Sequence, residues 1–283
     1  MISGRVVQLA VALALVAGVA LADDSPRSGA LAGCAMPPEL LAIGPALTHV
    51  AARLERGEPL TIVAVGSSST QGTGASAPAL SYPSRLEAEL TARFPGIAIR
   101  VINRGKGGEE APQMLARMDR DVIAEHPDLV VWQLGTNAVL RHDDVADEAE
   151  VIERGLSRLK AGGSDIVLMD MQYAPRVIAR PAYTTMERLI ADAAKRDRVG
   201  LFRRFAIMQH WQAMQPGDGP QMVGPDGLHM NDQGYGCIAA GLAEAVADNW
   251  RAHQTLVQRS SAPRLAGVIQ PPRSAAPGDA TAP

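Results

Sequence analysis

Short apolar runs that end in glycine alternate along this chain with longer stretches whose apolar residues recur every three or four positions. Leu60-Thr61-Ile62-Val63-Ala64-Val65 stops at Gly66, and Leu129-Val130-Val131-Trp132-Gln133-Leu134 stops at Gly135. Ile97 to Ile102, Ile166 to Met169 and Val199 to Phe202 are further runs of this kind. Between them, Leu86 to Phe94, Ala111 to Glu125, Asp144 to Lys160 and Tyr183 to Arg196 carry helical spacing. Pro95-Gly96, His126-Pro127 and Gly162-Gly163 supply the stops. Asp232 to His253 predicts a long final helix with Asn231 as its cap. Runs that are apolar at nearly every position, not at every second one, are buried on both faces, as in parallel sheets. The alternation therefore predicts an α/β fold: a three-layer α/β/α arrangement with a flavodoxin-like, doubly wound sheet of about five parallel strands.

The two ends break this rhythm. Residues 1–22 read as a signal peptide: Arg5, an apolar run from Val6 to Ala20, then Ala20-Leu21-Ala22 before Asp23 and Asp24. The run is short for a bilayer span, so the mature protein is expected to be exported, periplasmic or secreted, with no stable membrane span. Leu31-Ala32-Gly33-Cys34 is similar to a lipoprotein box, which makes an anchor through Cys34 the alternative. Residues 23–36 read as a linker and 37–257 as one domain. Residues 258–283, rich in Pro, Ala, Ser and Gly, are expected to form a disordered tail.

Composition adds exclusions. The chain is 47% apolar and 20% charged with net charge −3, and it has no dense basic stretch, so nucleic acid is not an expected partner. Cys34 and Cys237 are its two cysteines. In an exported protein they are expected to form one disulfide, tying the N-terminal segment to the last helix; the alternative is a pair of buried thiols.

In a doubly wound fold the ligand lies beyond the carboxyl ends of the strands. Three polar segments fall there: Gly66-Ser67-Ser68-Ser69-Thr70, Asn103 to Gly108, and Gly135-Thr136-Asn137. A serine turning off a strand is a nucleophile once a base takes its proton, though Ser and Thr are also ordinary turn and cap residues. Gly107 and Gly108 let backbone approach a substrate, and the Asn137 amide offers a second donor to an oxyanion; ordinary turn chemistry accounts for each of these alone. Asp226-Gly227-Leu228-His229 supplies a base and a carboxylate to orient it. A metal held by Asp226, His229 and Asp232 lacks a second histidine or cysteine nearby.

Taken in order, these blocks resemble the SGNH/GDSL hydrolase family over roughly Leu60 to Asn249. Its Gly-Asp-Ser block stands here as Gly66-Ser67-Ser68, its second block matches Asn103 and Gly108, its third matches Gly135 and Asn137, and its last matches Asp226 and His229. Ser67 and Ala138 occupy positions where that family usually has aspartate. The resemblance implies an esterase with Ser68, His229 and Asp226 as the triad. It further implies an oxyanion hole of the Ser68 N–H, the Gly108 N–H and the Asn137 amide, with no metal or organic cofactor. Export and the absence of a lid-like apolar insertion point to short acyl groups, such as acetyl esters of carbohydrates. An acyltransferase with the same triad and a non-catalytic glycan-binding relative are the rival readings. Gly72-Thr73-Gly74-Ala75-Ser76-Ala77 loosely fits a dinucleotide fingerprint but lies well past its strand. Trp132, Gln133, Gln172 and Tyr173 sit near strand ends, as site lining or as its support.

Overall fold

A computed structural model describes residues 34–214 and 222–261. The strands are β1 (Leu60–Gly66), β2 (Ile99–Gly105), β3 (Leu129–Gln133), β4 (Asp165–Met169) and β5 (Gly200–Phe202). They form one all-parallel sheet in the order β2-β1-β3-β4-β5. The helices before β3 are α1 (Pro38–Leu41), α2 (Thr48–Arg56), α3 (Ser68–Gln71), α4 (Tyr82–Arg93), α5 (Ala111–Ala116) and α6 (Met118–Asp121). After it come α7 (Thr136–Arg141), α8 (Glu148–Ala161), α9 (Pro175–Ile178), α10 (Tyr183–Asp197), α11 (Arg204–Met214) and α12 (Asp232–Ser261). The predicted doubly wound, three-layer fold is therefore the observed one, and its strand order is the flavodoxin-like order.

Alternate residues of each strand feed opposite layers. Ile62 and Ala64 of β1 and Leu129 and Val131 of β3 face one core, shared with Leu54 of α2, Leu86 and Leu90 of α4 and Leu242 of α12. Val63, Val65, Val130 and Trp132 face the other, with Met114 of α5, Ile152 and Leu156 of α8 and Ile190 of α10. All of these are buried, so β1 and β3 are covered on both faces.

Several boundaries differ from the sequence expectation. The predicted helix 111–125 is α5, α6 and a 3-10 turn, because the chain kinks at Arg117. The Arg117 side chain is 5% exposed and turns inward to Glu109, Asp121 and the Arg104 carbonyl. Strand β2 runs on to Gly105, pairing there with Gly66. The final helix begins at the predicted cap, where Asn231 Oδ1 accepts the Gly234 N–H at 2.9 Å. It extends to Ser261, past His253 and into the segment expected as tail. Residues 1–33 and 262–283, which hold the predicted leader, most of the linker and the rest of the tail, lie outside the described residues. No described helix is long and apolar enough to cross a membrane.

The expected cysteine pairing is present. Cys34 and Cys237 are disulfide-bonded, their Cα atoms 5.2 Å apart across a separation of 203 residues. Lipidation of Cys34 would need the same sulfur, so this bond and the lipoprotein alternative exclude one another.

Candidate active site

Strand β1 delivers the serine run to the carboxyl edge of the sheet. A Cβ on Gly66 would lie 2.2 Å from Thr70 Oγ1 and 2.7 Å from Gln133 Oε1, so the turn off the strand admits only glycine. The three serines that follow have separate tasks. Ser67 donates its N–H and its hydroxyl to Gln133 Oε1 at 2.8 and 3.0 Å. Ser69 Oγ accepts from Arg204 Nη1 at 3.1 Å. Ser68 alone faces the histidine: its Oγ is 2.9 Å from His229 Nε2, and it is the half-buried member of an otherwise buried run.

The Asp226–His229 loop closes on itself. Gly227 takes φ +66°, a conformation that favours glycine. Asp226 Oδ1 accepts the N–H groups of Leu228 and His229, both at 3.0 Å. Its Oδ2 lies 2.5 Å from His229 Nδ1. Burial pushes the Asp226 carboxyl up, but the bonds from the His229 ring and from the two N–H groups outweigh it and hold the group below the usual carboxylate range. An ionised carboxylate only accepts, so Nδ1 carries the proton in neutral His229. Nε2 is then left bare, facing the Ser68 hydroxyl, which is the tautomer a general base needs.

The loop after β2 runs beside α3, which Ser68 begins. A Cβ on Gly105 would sit 2.1 Å from the Gln71 nitrogen, and one on Gly107 would sit 3.9 Å from Ser68 Cβ. The Gly107 N–H is taken by Gln71 Oε1 at 2.8 Å. Gly108 has φ +81°, and its carbonyl accepts from Arg141 at 2.8 Å. The Ser68 N–H is the first of α3, with no carbonyl of its own helix to bond. Asn137 donates one amide hydrogen to the Glu109 carbonyl at 2.8 Å, which ties α7 to the same loop and leaves the second hydrogen. Asn103 braces the turn: its amide donates to Thr70 O at 2.9 Å and its oxygen accepts the Gly105 N–H at 2.9 Å.

Two rival assignments are not assembled. Asp232 is held by the Ser76 N–H and hydroxyl at 2.8 and 2.6 Å, and no cluster of three metal-ligating side chains occurs among the described residues. The Gly72–Ala77 loop packs on protein: a Cβ on Gly74 would meet Met230 O at 2.4 Å, and Tyr235 donates to Thr73 O at 2.6 Å. Trp132 is fully buried against Gly155 and Met114, so it belongs to the core and not to the site lining.

Two buried carboxyls nearby give the fold a pH signature. Burial pushes Asp170 up to about 7, against the Phe205 N–H and the Arg204 charge. Burial, with repulsion from Glu110, also pushes Glu148 up to about 7, and its Oε2 has no hydrogen-bond partner. Both values lie above the unfolded range of about 4, so the folded state holds more protons. That stability is complete below about pH 4 and is lost as pH rises through about 7. We expect a lower denaturation midpoint at pH 8.5 than at pH 5.5, with Asp170 alone contributing ~2 kcal/mol of the difference. Asp170→Asn and Glu148→Gln should each flatten the profile and raise the midpoint at high pH. A flat wild-type profile would contradict the assignment.

Comparison with known proteins adds likenesses of three kinds: to a family profile, to a curated relative and to solved structures. The sequence profile of the non-GDSL lipase-like family matches residues 33–252. That description accords with Ser67, not aspartate, preceding Ser68, and it replaces the narrower GDSL expectation. An acetylxylan esterase of Geobacillus stearothermophilus is 34% identical over 107 residues, which are 38% of this chain and 42% of that protein. The alignment thus spans less than half of that relative. A solved two-domain esterase active on acetylated mannans, co-crystallised with mannopentaose, has TM-score 0.62 at 20% identity over 75% of this chain and 56% of its own. A catalytic mutant of an acetylxylan esterase from Geobacillus stearothermophilus, with an aspartate replaced by alanine, has TM-score 0.58 at 20% identity over 69% of this chain and 97% of its own. Another catalytic mutant of that enzyme replaces a histidine three positions later. These structural likenesses are in fold.

Proposed function

This chain belongs to the non-GDSL lipase-like family, and on that footing we propose that it is a serine esterase removing short acyl groups, acetyl foremost, from carbohydrates. One observation carries the reading: Ser68 Oγ lies 2.9 Å from His229 Nε2 while Asp226 Oδ2 lies 2.5 Å from Nδ1. In the proposed reaction His229 takes the Ser68 proton as the serine oxygen attacks the ester carbonyl. Asp226 holds the ring and stabilises its positive charge. The N–H groups of Ser68 and Gly108 and the free Asn137 hydrogen receive the oxyanion. His229 returns the proton to the departing sugar hydroxyl, and water, activated by the same ring, releases the acid. This is the SGNH type of mechanism, and it needs no metal or organic cofactor.

The substrate class is supported by the acetylated xylan and mannan named for the relatives, and the pairing of Asp226 with His229 by the aspartate and histidine of the catalytic mutants. Export is part of the same proposal, supported by the Cys34–Cys237 bond, since such bonds persist in oxidising compartments. The test is acetate release from acetylated xylan and acetylated mannan, beside a series of p-nitrophenyl esters of increasing chain length. We expect turnover of the polysaccharides and of the acetate ester, falling steeply by the octanoate. Preference for long chains, or no acetate release from either polysaccharide, would overturn the substrate assignment.

A further inference from the structure

Arg204, the first residue of α11, is wholly buried. Its three hydrogen bonds all go to neutral acceptors near the strand ends: Nε to Asp170 O at 3.0 Å, Nη1 to Ser69 Oγ at 3.1 Å and Nη2 to Gln172 Oε1 at 3.0 Å. Gln172, 1% exposed, passes these contacts on. Its Oε1 also accepts the Thr136 hydroxyl at 2.9 Å, and its Nε2 donates to Leu228 O at 3.3 Å. Ser69 adjoins Ser68, Thr136 adjoins Asn137, and Leu228 adjoins His229. One guanidinium and one amide therefore join the three separate loops that bear the nucleophile, the amide donor and the base.

Burying a cation whose hydrogen bonds all go to neutral acceptors, with the Asp170 carboxyl as a charged neighbour, is an expensive way to stabilise a fold, since a well-packed apolar group does so without the desolvation cost. A planar guanidinium does something an apolar group does not: it holds two acceptors at a fixed spacing. Displacements on the scale of an ångström in such sites cost about a hundredfold in rate. We infer that Arg204 and Gln172 are the positioning pair of this site, keeping Ser68, Asn137 and His229 in register, while touching no substrate themselves. The inference rests on the esterase reading above.

Three variants test it. Arg204→Lys keeps the charge but not the fork. Gln172→Glu keeps the shape and an acceptor for Arg204 but removes the donor to Leu228 O. Ser69→Ala removes a single acceptor. Each is compared with wild type by kcat and KM on p-nitrophenyl acetate, by the rate at which a fluorophosphonate labels Ser68, and by Tm. Labelling reads nucleophile–imidazole alignment without saccharide binding. We expect kcat and the labelling rate to fall together, at least tenfold in Arg204→Lys and Gln172→Glu and about threefold in Ser69→Ala, with KM within twofold. A merely structural role would lower Tm and leave both rates alone, which overturns the inference. So does a loss confined to KM. If Arg204→Lys does not fold, the other two variants decide by the same readouts. A wild type that neither turns over the ester nor takes the label ends the esterase reading and this inference with it. A reactive wild type whose variants match it ends the inference alone.

Discussion

Replacing Ser68 or His229 by alanine is expected to lower kcat for acetyl ester hydrolysis by about 10⁵-fold, with far-ultraviolet circular dichroism and Tm close to wild type. Ser68 is a half-buried residue at a turn and His229 is 15% exposed, so neither truncation opens a core cavity. Asp226→Asn should cost less, about 10⁴-fold, by a definite route. An amide at that position presents a donor to Nδ1, which favours the opposite tautomer and puts the proton on the nitrogen facing Ser68. Because the three residues act as a unit, Ser68→Ala/His229→Ala should be no slower than either single variant. The neighbours are the controls. Ser67→Ala loses bonds to Gln133, not to the ring, and should keep most of the activity. Equal losses at Ser67 and Ser68, or additive losses in the double variant, would remove the triad assignment.

What was legible beforehand follows from the range of the interactions involved. Strands β1 and β3 are legible because both of their faces are buried, so each lies in a run that is apolar almost throughout and stops at a glycine, Gly66 or Gly135. Strand β2 lies at the sheet edge, carries Arg100, Asn103 and Arg104, and was therefore read three residues short. The break at Arg117 was invisible because its cause is the pull of Glu109, Asp121 and a β2 carbonyl on one inward-turned side chain. Helix α2 carries a legible signal: Val50, Ala51 and Leu54 share a face, and Gly57 ends it with a left-handed cap. Helix α11 has apolar residues on several sides, since Phe205 joins one core while Ile207 and Trp211 join the other, so its periodicity is weak.

The same contrast runs through the site. Asp226 and His229 could be paired from sequence because their contact is three residues long. Ser68 could be separated from Ser67 and Ser69 only by the family's blocks, since the contacts that distinguish the three reach Gln133, Arg204 and His229, all distant in the chain. Gln133 and Gln172 stand out as polar residues near strand ends, but Arg204 carries no local sign at all. Its partners Ser69 and Gln172 are 135 and 32 residues away.

Removing the disulfide by Cys34→Ser/Cys237→Ser is expected to give the largest loss of stability, about 3–5 kcal/mol, with kcat at 25 °C unchanged. The bond spans 203 residues, and in the chain-entropy view a closed loop of that length restricts the unfolded state strongly. In the folded state the segment it anchors has other ties. Ala35 O accepts the Trp211 indole N–H at 3.0 Å, Met36 lies over Gly241 of α12, Arg203 donates to Glu39 O and Ala42 O, and the Leu201 N–H bonds Ile43 O at 2.8 Å. The folded geometry should therefore survive without the bond, and most of the loss should come from the freed unfolded chain. For a domain of this size the shift in Tm is about 10 °C. Wild type in dithiothreitol should fall to the same Tm, and the reductant should not affect the double variant. None of the ties reaches Ser68, Asp226 or His229, which is why activity below the transition should hold. A Tm within 2 °C of wild type would mean that the bond does not form in solution. A fall in kcat with Tm unchanged would mean instead that the N-terminal segment bears on the site through α12.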